Sequence, residues 1–343
     1  MRISTRAASA AASLALAAVA LGVAQQAEAW GATGHRLVGI VAIRALPDDL
    51  PKFVRTNKAA AAVGELAREP DRTKGSGKLH DEQREGNHFV DLDDAGRVMG
   101  GPHIDALPPT RQQYDDALRA AGSDLTKAGW LPYSMAGGYN QLVTDFALWR
   151  VAKVGEKTAS SRERRRWYKA DRIRREHIIL RDIGEFAHWV GDGAQPLHTS
   201  IHYNGWGDYP NPKGYTTSRG THSAVDGGIV YGRVTEHDVA RQLTPYRPCT
   251  DGIERCVAAY IKTSWGYIDA LYALEKAGGF APGDPRGGAF AAERLAAGSS
   301  QLRDFIVDAW RASATAQVGW PKVSVADVEA GKADPWDSLY GKD

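Results

Sequence analysis

The chain has 343 residues, with 43 Lys and Arg against 41 Asp and Glu, and 43% of its residues are hydrophobic. A chain of this length can bury a full hydrophobic core, and its nearly balanced charge indicates no particular class of partner. Two cysteines are too few for a thiolate metal site. Cys249 and Cys256 are close in sequence and could form one small local disulfide in an oxidising compartment.

The first 29 residues have the pattern of a secretory signal peptide. Arg2 and Arg6 precede an apolar run from Leu14 to Val23, and the small-residue site Ala27-Glu28-Ala29 follows that run. We therefore expect cleavage before Trp30 and an exported protein, periplasmic or secreted. The apolar run is too short for a membrane span and no later run is long and apolar enough, so we expect no transmembrane segment.

Most of the remaining chain has apolar residues at helical spacing, as at Ile179, Ile183, Phe186 and Val190. Strand-like alternation is scarce and no βαβ rhythm occurs, so the sequence predicts an all-α protein. Because there is neither an internal repeat nor a low-complexity linker, residues 30–343 are predicted to form a single domain. The tail after Gln317 contains several turn residues and predicts no clear helix.

Basic residues crowd one stretch of the chain, from Arg162 to Arg175. Such a run could contact nucleic acid or anionic lipid. More often it is the solvated face of a helix, which is the interpretation we favour. No obligate protein partner is evident from the sequence.

The densest chemical signal is the segment EFAHWVGDGAQPLH. His188 and Asp192 are four residues apart, so on a helix both side chains leave the same face and can reach one ion. His198 follows after the helix is expected to end. Further candidates occur in the segments REPDR, NHFVDLD and THSAVD, namely Asp71, His88, His222 and Asp226. One such pair alone is more often a hydrogen-bonded pair, but this set of imidazoles and carboxylates suits zinc or a similar ion.

Cleavage before Trp30 would add a further ligand. A free α-amine beside its own carbonyl can form a five-membered chelate, and His35 follows in the segment WGATGH. The reference pKa of an α-amine is about 7.7 to 8.0, so a metal can displace its proton at modest cost. The alternative is that Trp30 only packs in the core and His35 caps a helix.

Together these motifs resemble the trinuclear zinc nucleases of fungi, plants and bacteria, whose fold and metal cluster are shared by zinc-dependent bacterial phospholipases C. The shared features are a Trp-x-x-x-x-His start, an Asp before a H-F-x-D loop, a H-x-x-G-D-x-x-Q-P-L-H block and a final H-x-x-x-D. They occur in the same order and cover most of the chain after residue 29. The resemblance implies an all-α fold with long loops over a metal cleft, and three zinc ions.

The resemblance also implies how the ligands are shared among the ions. The first zinc would be bound by Asp71, His88, His188 and Asp192, the second by Trp30, His35 and the shared Asp192, and the third by His198, His222 and Asp226. A hydroxide that bridges the two ions sharing Asp192 would attack the phosphodiester, and Asp71 would orient or deprotonate it. Lys74 occupies the position of a family arginine and can contact phosphate, although without bidentate geometry.

Five further residues are candidates for substrate binding. In the nuclease branch the H-F-x-D loop binds a base, so Phe89 would stack on a nucleobase and Asp91 would accept from its edge. The alternative is a core phenylalanine followed by a turn-forming aspartate. Tyr203, Trp206 and Tyr209 lie in the loop after His198. They could form a platform for a base, a lipid headgroup or a choline ammonium, or could only stiffen that loop.

The expected function is a zinc-dependent nuclease or nucleotidase that hydrolyses P–O3′ bonds of single-stranded DNA or RNA. The short spacing from Trp30 to His35 and the Asp at position 226 favour this branch. The segments HYNGWGDYPNP and GTHSAVD depart from the nuclease pattern, and the second is closer to the phospholipase pattern. A phospholipase C acting on phospholipid headgroups is therefore the alternative, followed by an exported metal-binding protein without catalysis.

Overall fold

A computed structural model describes residues 30–340 of the chain. The predicted signal peptide, residues 1–29, lies outside the described residues, as do residues 341–343. Within the described range, helices dominate, and the only paired strands are β1 (Gln317–Val318) and β2 (Val323–Ser324), which form an antiparallel hairpin. The predicted all-α class is confirmed at this level.

The helices vary from one turn to 33 residues in length. In chain order the α-helices of residues 30–340 are α1 (Gly31–Arg44), α2 (Asn57–Leu66), α3 (Glu69–Arg72), α4 (Lys78–Glu82), α5 (Arg111–Ala120), α6 (Leu125–Ala128), α7 (Leu131–Thr158), α8 (Arg162–Ala194), α9 (Thr221–Ser223), α10 (Glu236–Ala240), α11 (Ile253–Trp265), α12 (Ile268–Lys276), α13 (Pro285–Ala312), α14 (Val325–Glu329) and α15 (Trp336–Tyr340). Short 3-10 turns occupy Lys52–Arg55, Glu85–Asn87, Ile104–Ala106, Pro196–His198 and Ser313–Thr315, and a π-turn spans Ala224–Gly228.

The long helices α7 and α8 form the centre of the fold. Only residues 159–161 connect them, so the chain turns back and the two helices pack along each other. Ser161 caps the second helix, because its hydroxyl accepts a hydrogen bond from the Arg164 backbone N–H at 3.1 Å. Helices α1 and α13 pack against this pair and enclose the main hydrophobic core.

The second half of α8 is packed in the core and carries the H-x-x-x-D motif of His188 and Asp192 there. Ile179, Ile183, Phe186 and Val190 are fully buried, as their helical spacing predicts. The helix ends at Ala194, just before the 3-10 turn Pro196–His198, which confirms the predicted end of the helix. The helix therefore holds the H-x-x-x-D motif rigidly inside the molecule.

The prediction that the tail has no clear helix was wrong. Helices α14 and α15 follow the β1–β2 hairpin, and Val318, Val325 and Val328 form a small core with Ala147 and Val151 of α7. Each helix has five residues. A periodic apolar pattern cannot be recognised in so short a segment, and its stability comes from packing on α7.

Three further features bear on the sequence predictions. Arg172 pairs with Glu156 and Glu176, and Arg174 pairs with Asp171, so acidic neighbours partly neutralise the basic run. Cys249 and Cys256 form a disulfide. Among residues 30–340, no helix combines the length and the apolar character that crossing a membrane would require.

Candidate metal centre

Eight of the nine predicted metal ligands meet in three groups of histidine and aspartate side chains. Within each group the possible ligand atoms lie within 4.8 Å of one another. The groups are His35 with His188 and Asp192, Asp71 with His88 and His188, and His198 with His222 and Asp226. Residues that are separated by as many as 191 positions in the chain, from His35 to Asp226, are thus brought to one place. Buried clusters of nitrogen and oxygen ligands without sulfur can hold zinc and other divalent ions.

Asp192 lies between the first two groups. Its Oδ1 is 3.5 Å from His35 Nε2, whereas its Oδ2 is 3.2 Å from His88 Nδ1 and 3.4 Å from His188 Nε2. One carboxylate oxygen therefore faces His35 and the other faces His88 and His188. A carboxylate that bridges two ions needs this orientation. Asp71 lies opposite, with its Oδ2 3.8 Å from His35 Nε2 and its Oδ1 3.8 Å from His188 Nε2.

The third group lies where the end of α8 meets α9 and the following π-turn. His222 Nε2 is 2.9 Å from His198 Nε2 and 3.0 Å from Asp226 Oδ2. The other oxygen of Asp226, Oδ1, accepts hydrogen bonds from the Gln195 side chain at 2.8 Å and from the Trp30 backbone nitrogen at 3.2 Å. These bonds leave Oδ2 directed towards the two histidines.

The hydrogen bonds of two histidines define their tautomers. His188 Nδ1 lies 2.8 Å from the Ala67 carbonyl oxygen, and His198 Nδ1 lies 2.7 Å from that of His88. A carbonyl oxygen can only accept, so each Nδ1 carries the hydrogen. The Nε2 atoms of His188 and His198 then present lone pairs to their groups, as metal-bound histidines with a hydrogen-bonded second nitrogen do.

Burial favours the neutral form of these histidines. Desolvation lowers the pKa of His188 to about 3, and it lowers the pKa of His88 and His198 well below the usual value. A neutral imidazole is the form that binds a metal. The histidines are therefore ready to act as ligands without first losing a proton.

Burial has the opposite effect on the carboxyl group that the first two groups share. Desolvation and the nearby Asp71 raise the pKa of Asp192 well above its usual value. Its Oδ1 is fully buried and accepts no hydrogen bond from any described residue. A cation beside Asp192 would satisfy this oxygen and favour the ionised carboxylate, so the residues fit a bound metal ion.

Trp30 is placed at the centre of this site. Its indole is fully buried and donates from Nε1 to the Gly191 carbonyl oxygen at 2.8 Å. Its backbone nitrogen contacts Asp226 of the third group, although the sequence predicts that it joins His35. The contacts of Trp30 therefore combine the packing role with a position next to the predicted ligands.

A cleft of about 510 Å³ opens above the groups, and His88, His198 and His222 line its floor. Lys74 also lines the cleft, and its Nζ is 2.6 Å from Asp71 Oδ1. A molecule that enters the cleft would meet the ammonium group of Lys74 together with the candidate metal-binding histidines, which suits an anionic substrate.

Phe89 and Asp91 both line this cleft. Phe89 is partly buried, and its carbonyl approaches Gly129 so closely that a Cβ atom at Gly129 would lie 2.1 Å from it. Asp91 is buried, its Oδ1 has no hydrogen-bond partner among residues 30–340, and desolvation raises its pKa well above the usual range. Burial thus favours the protonated form of Asp91, which can donate as well as accept a hydrogen bond.

Two of the three predicted platform residues line the cleft. Tyr203 is 50% exposed and Tyr209 is 41% exposed. Trp206 is instead buried, stacks on His202 with ring centroids 3.8 Å apart, and donates to the Pro210 carbonyl oxygen. Of the two roles that the sequence allows for Trp206, stiffening the loop is the one that these contacts fit, so the expected place of Trp206 in the platform is corrected.

The sequence did not identify several residues that complete the site. Gln195 holds Asp226, and the side-chain oxygen of Asn204 accepts from the backbone N–H of His222 at 3.2 Å. His80 and Arg84 line the cleft from α4 and the turn after it. Only Gln195 had a recognisable signal, since it belongs to the Q-P-L-H block, whereas the others depend on how distant segments pack.

The chain matches no known family model, and no curated protein matches it significantly.

Proposed function

We propose that the protein is a zinc-dependent phosphodiesterase of the trinuclear nuclease type, exported after cleavage before Trp30, which hydrolyses P–O3′ bonds of single-stranded DNA or RNA. The observation that carries the proposal is the convergence of eight predicted ligands in three buried groups beneath one cleft. Three zinc ions, when bound there, would supply positive charge for the phosphate and lower the pKa of water. A non-catalytic metal-binding protein would not need the open cleft above the ligands.

The residues of the cleft would bind and orient the phosphodiester. Lys74 would contact a phosphate oxygen, because its ammonium group lines the cleft. Asp71, with a side chain only 7% exposed and in contact with Lys74, would orient the attacking water and accept its proton. Exclusion of bulk water around Asp71 strengthens both interactions.

A nucleobase is the substrate part that Phe89 and Asp91 suit best. The ring of Phe89 would stack on the base, and the carboxyl group of Asp91 would donate to and accept from its edge. Tyr203 and Tyr209 offer further aromatic surface in the same cleft. Because only an unpaired base can enter such a pocket, single strands are the preferred substrate.

A phospholipase C is the second candidate, favoured by exposed apolar residues near the cleft. Leu79 is 70% exposed, and its neighbours His80 and Asp81 line the cleft. An exposed leucine beside an active site could enter a lipid surface. In that case Tyr203 would contact a lipid headgroup rather than a base.

The activity is tested with the purified protein cleaved before Trp30. We expect hydrolysis of bis-p-nitrophenyl phosphate, loss of this activity in chelator and recovery with zinc. A protein that binds zinc and hydrolyses neither phosphodiesters nor phosphomonoesters would refute catalysis. Single-stranded DNA or RNA offered beside phosphatidylcholine vesicles then separates nuclease from phospholipase.

Base recognition is tested with two substitutions at Asp91. Asp91→Leu should raise KM for a dinucleotide by about tenfold, since it removes the polar contacts to the base edge. Asp91→Asn, which keeps a donor and an acceptor, should retain most of the affinity. Both variants should hydrolyse bis-p-nitrophenyl phosphate, which has no base, as the wild type does. Equal losses on both substrates would contradict base recognition.

The role of the amino group of Trp30 is tested by extending the mature protein with one alanine. The extension removes the free α-amine while every side chain stays in place. We expect weaker zinc binding and a sharp loss of activity. Wild-type activity in the extended protein would show that the amine is not a ligand.

A further inference from the structure

A second cavity of about 660 Å³ adjoins the cleft on the outer side of α7 and α8. We call it the α7–α8 groove. The segment from Gln83 to Asn87 separates the two, and Arg84 lines both of them. The exposed side chain of Arg84 can therefore contact a ligand in either cavity.

Arginine side chains dominate the charge of the α7–α8 groove. Arg84, Arg111 and Arg181 line it and are all exposed to solvent. Arg181 pairs with Asp182 at 2.9 Å and with Glu185 at 3.1 Å, and these are the two carboxyl groups of the lining. Arg84 also lies 4.0 Å from Glu185, so three guanidinium groups share two carboxyl groups and the groove has an excess of one positive charge.

Arg111 is the guanidinium with the greatest freedom to bind a ligand. Its guanidinium carbon lies 4.8 Å from the centroid of the Trp130 ring, which orients the group. It forms no salt bridge with any residue of the described range. Arginine in such a position binds phosphate oxygens through paired N–H groups.

Two residues of α7 that line the groove, Gly137 and Gly138, have no side chain, so the helix backbone is accessible there. A glycine inside a helix is less favourable than alanine, because it loses more conformational freedom on folding. Packing against Phe186 and Trp189 explains Gly138, but a Cβ atom at Gly137 would have no neighbour within 4 Å. Internal packing therefore does not require Gly137, whereas close approach of a ligand to the helix backbone would.

The remaining lining combines polar side chains with two partly buried aromatic residues, Tyr133 and Trp189. Asn87 accepts hydrogen bonds from Trp130 and Ser134 at its Oδ1, so its NH2 group remains available as a donor. Gln83 and Gln141 add amide groups, and none of the residues lining the groove is a largely exposed apolar side chain. This composition suits a sugar–phosphate backbone and does not suit acyl chains.

We propose that the α7–α8 groove binds the sugar–phosphate backbone of a single-stranded nucleic acid where the strand extends beyond the catalytic cleft. This inference rests on the proposed nuclease function and extends it from a dinucleotide to a polynucleotide substrate. Arg84 guides the strand between the two cavities, and Arg111 and Arg181 contact its phosphates. The groove thus increases affinity for long strands and leaves the chemistry of the scissile bond unchanged.

The test compares the double variant Arg111→Gln/Arg181→Gln with the wild type. The binding substrate is a fluorescent thymidine phosphorothioate of about 20 nucleotides, which is cleaved slowly, measured on the zinc-loaded protein by anisotropy. We expect its Kd to rise about tenfold at low salt, and the slope of log K against log[salt] to fall by about 1.4 for two lost contacts. Hydrolysis of a dinucleotide and of bis-p-nitrophenyl phosphate should stay at the wild-type level.

Two further variants test whether weaker binding comes from the groove or from a general loss of positive charge. Arg162→Gln/Arg166→Gln removes two exposed charges from the start of α8, outside both cavities, and should bind the long strand as the wild type does. Gly137→Gln fills the groove at a position with open space and should weaken long-strand binding while the melting temperature stays equal or rises.

The outcomes separate this inference from the proposed function. If Arg111→Gln/Arg181→Gln binds the long strand as tightly as the wild type, or if the control pair weakens binding equally, the groove proposal is overturned. The same holds if the groove variants lose binding only to phosphatidylcholine vesicles. If the wild type cleaves no nucleic acid but Gly137→Gln still weakens strand binding, the groove stands and the nuclease proposal fails.

Discussion

Replacement of Gln195 by methionine tests how the third metal group is held in place. Gln195 is fully buried, its Nε2 donates to Asp226 Oδ1 at 2.8 Å, and its Oε1 accepts from the Leu197 backbone N–H at 2.7 Å. Methionine has a similar length but makes neither bond. A hydrogen bond to a charged group contributes about 1.5–3 kcal/mol, and a buried N–H left without an acceptor costs about 1–3 kcal/mol. Since the two effects overlap, we expect the free energy of unfolding to fall by about 2–4 kcal/mol.

Gln195→Met should also weaken zinc binding by about 10- to 100-fold, because Asp226 loses the group that orients it. Urea unfolding of the metal-free protein measures the first effect, and competition with a chromophoric chelator measures the second. The matched control is Gln195→Glu, which keeps the acceptor for Leu197 but places a second carboxyl group beside Asp226. One of the two must then hold a proton, so this variant should be less stable at about pH 8 than at about pH 5. Wild-type stability and zinc affinity in Gln195→Met would refute the reasoning.

Three other predictions concern single features of the fold. Burial and a hydrogen bond to Asp145 raise the pKa of Asp182 to about 6 from 3.8. The contribution of Asp182 to stability is therefore present below about pH 4 and is lost as the pH rises through about 6. Asp182→Asn should raise the melting temperature more at about pH 8 than at about pH 4, and an equal effect at both pH values would contradict this. Gly129 has a φ of +69°, so Gly129→Ala should cost about 2–4 kcal/mol in urea unfolding, whereas Gly137→Ala should be neutral or stabilising. Replacing both Cys249 and Cys256 by serine should lower the unfolding free energy by about 2–3 kcal/mol, since a short loop is no longer closed; unchanged thermal unfolding would argue against this role.

The sequence predicted well those parts of the protein that depend on local spacing. His188 and Asp192 share one face of α8 because four residues make about one helical turn. The helix ends before Pro196 because proline lacks the N–H that a helix interior requires. The all-α class followed in the same way, from apolar residues repeated at helical spacing over long segments.

Short elements and surface positions could not be predicted with the same reasoning. Helices α14 and α15 are too short for a periodic pattern. Valines of α14 pack on α7, whereas Trp336 and Tyr340 of α15 pack on Trp167. The sequence allowed Trp206 either to join a substrate platform or to stiffen its loop, and the stacking on His202 and the contact with Tyr272 bury it. A loop sequence does not show which of its side chains face inward.

The sequence by itself therefore determined the helical class, the set of candidate ligands and the pairs of ligands that share a helical turn. Only the tertiary structure decided that His35 stacks on His188, that the two oxygens of Asp192 face different histidines, and that Arg84 lies between two cavities. The physical reason is the range of the interactions. Hydrogen bonds within a helix join residues four positions apart, whereas these contacts join segments that meet only when α1 and α3 pack against α8.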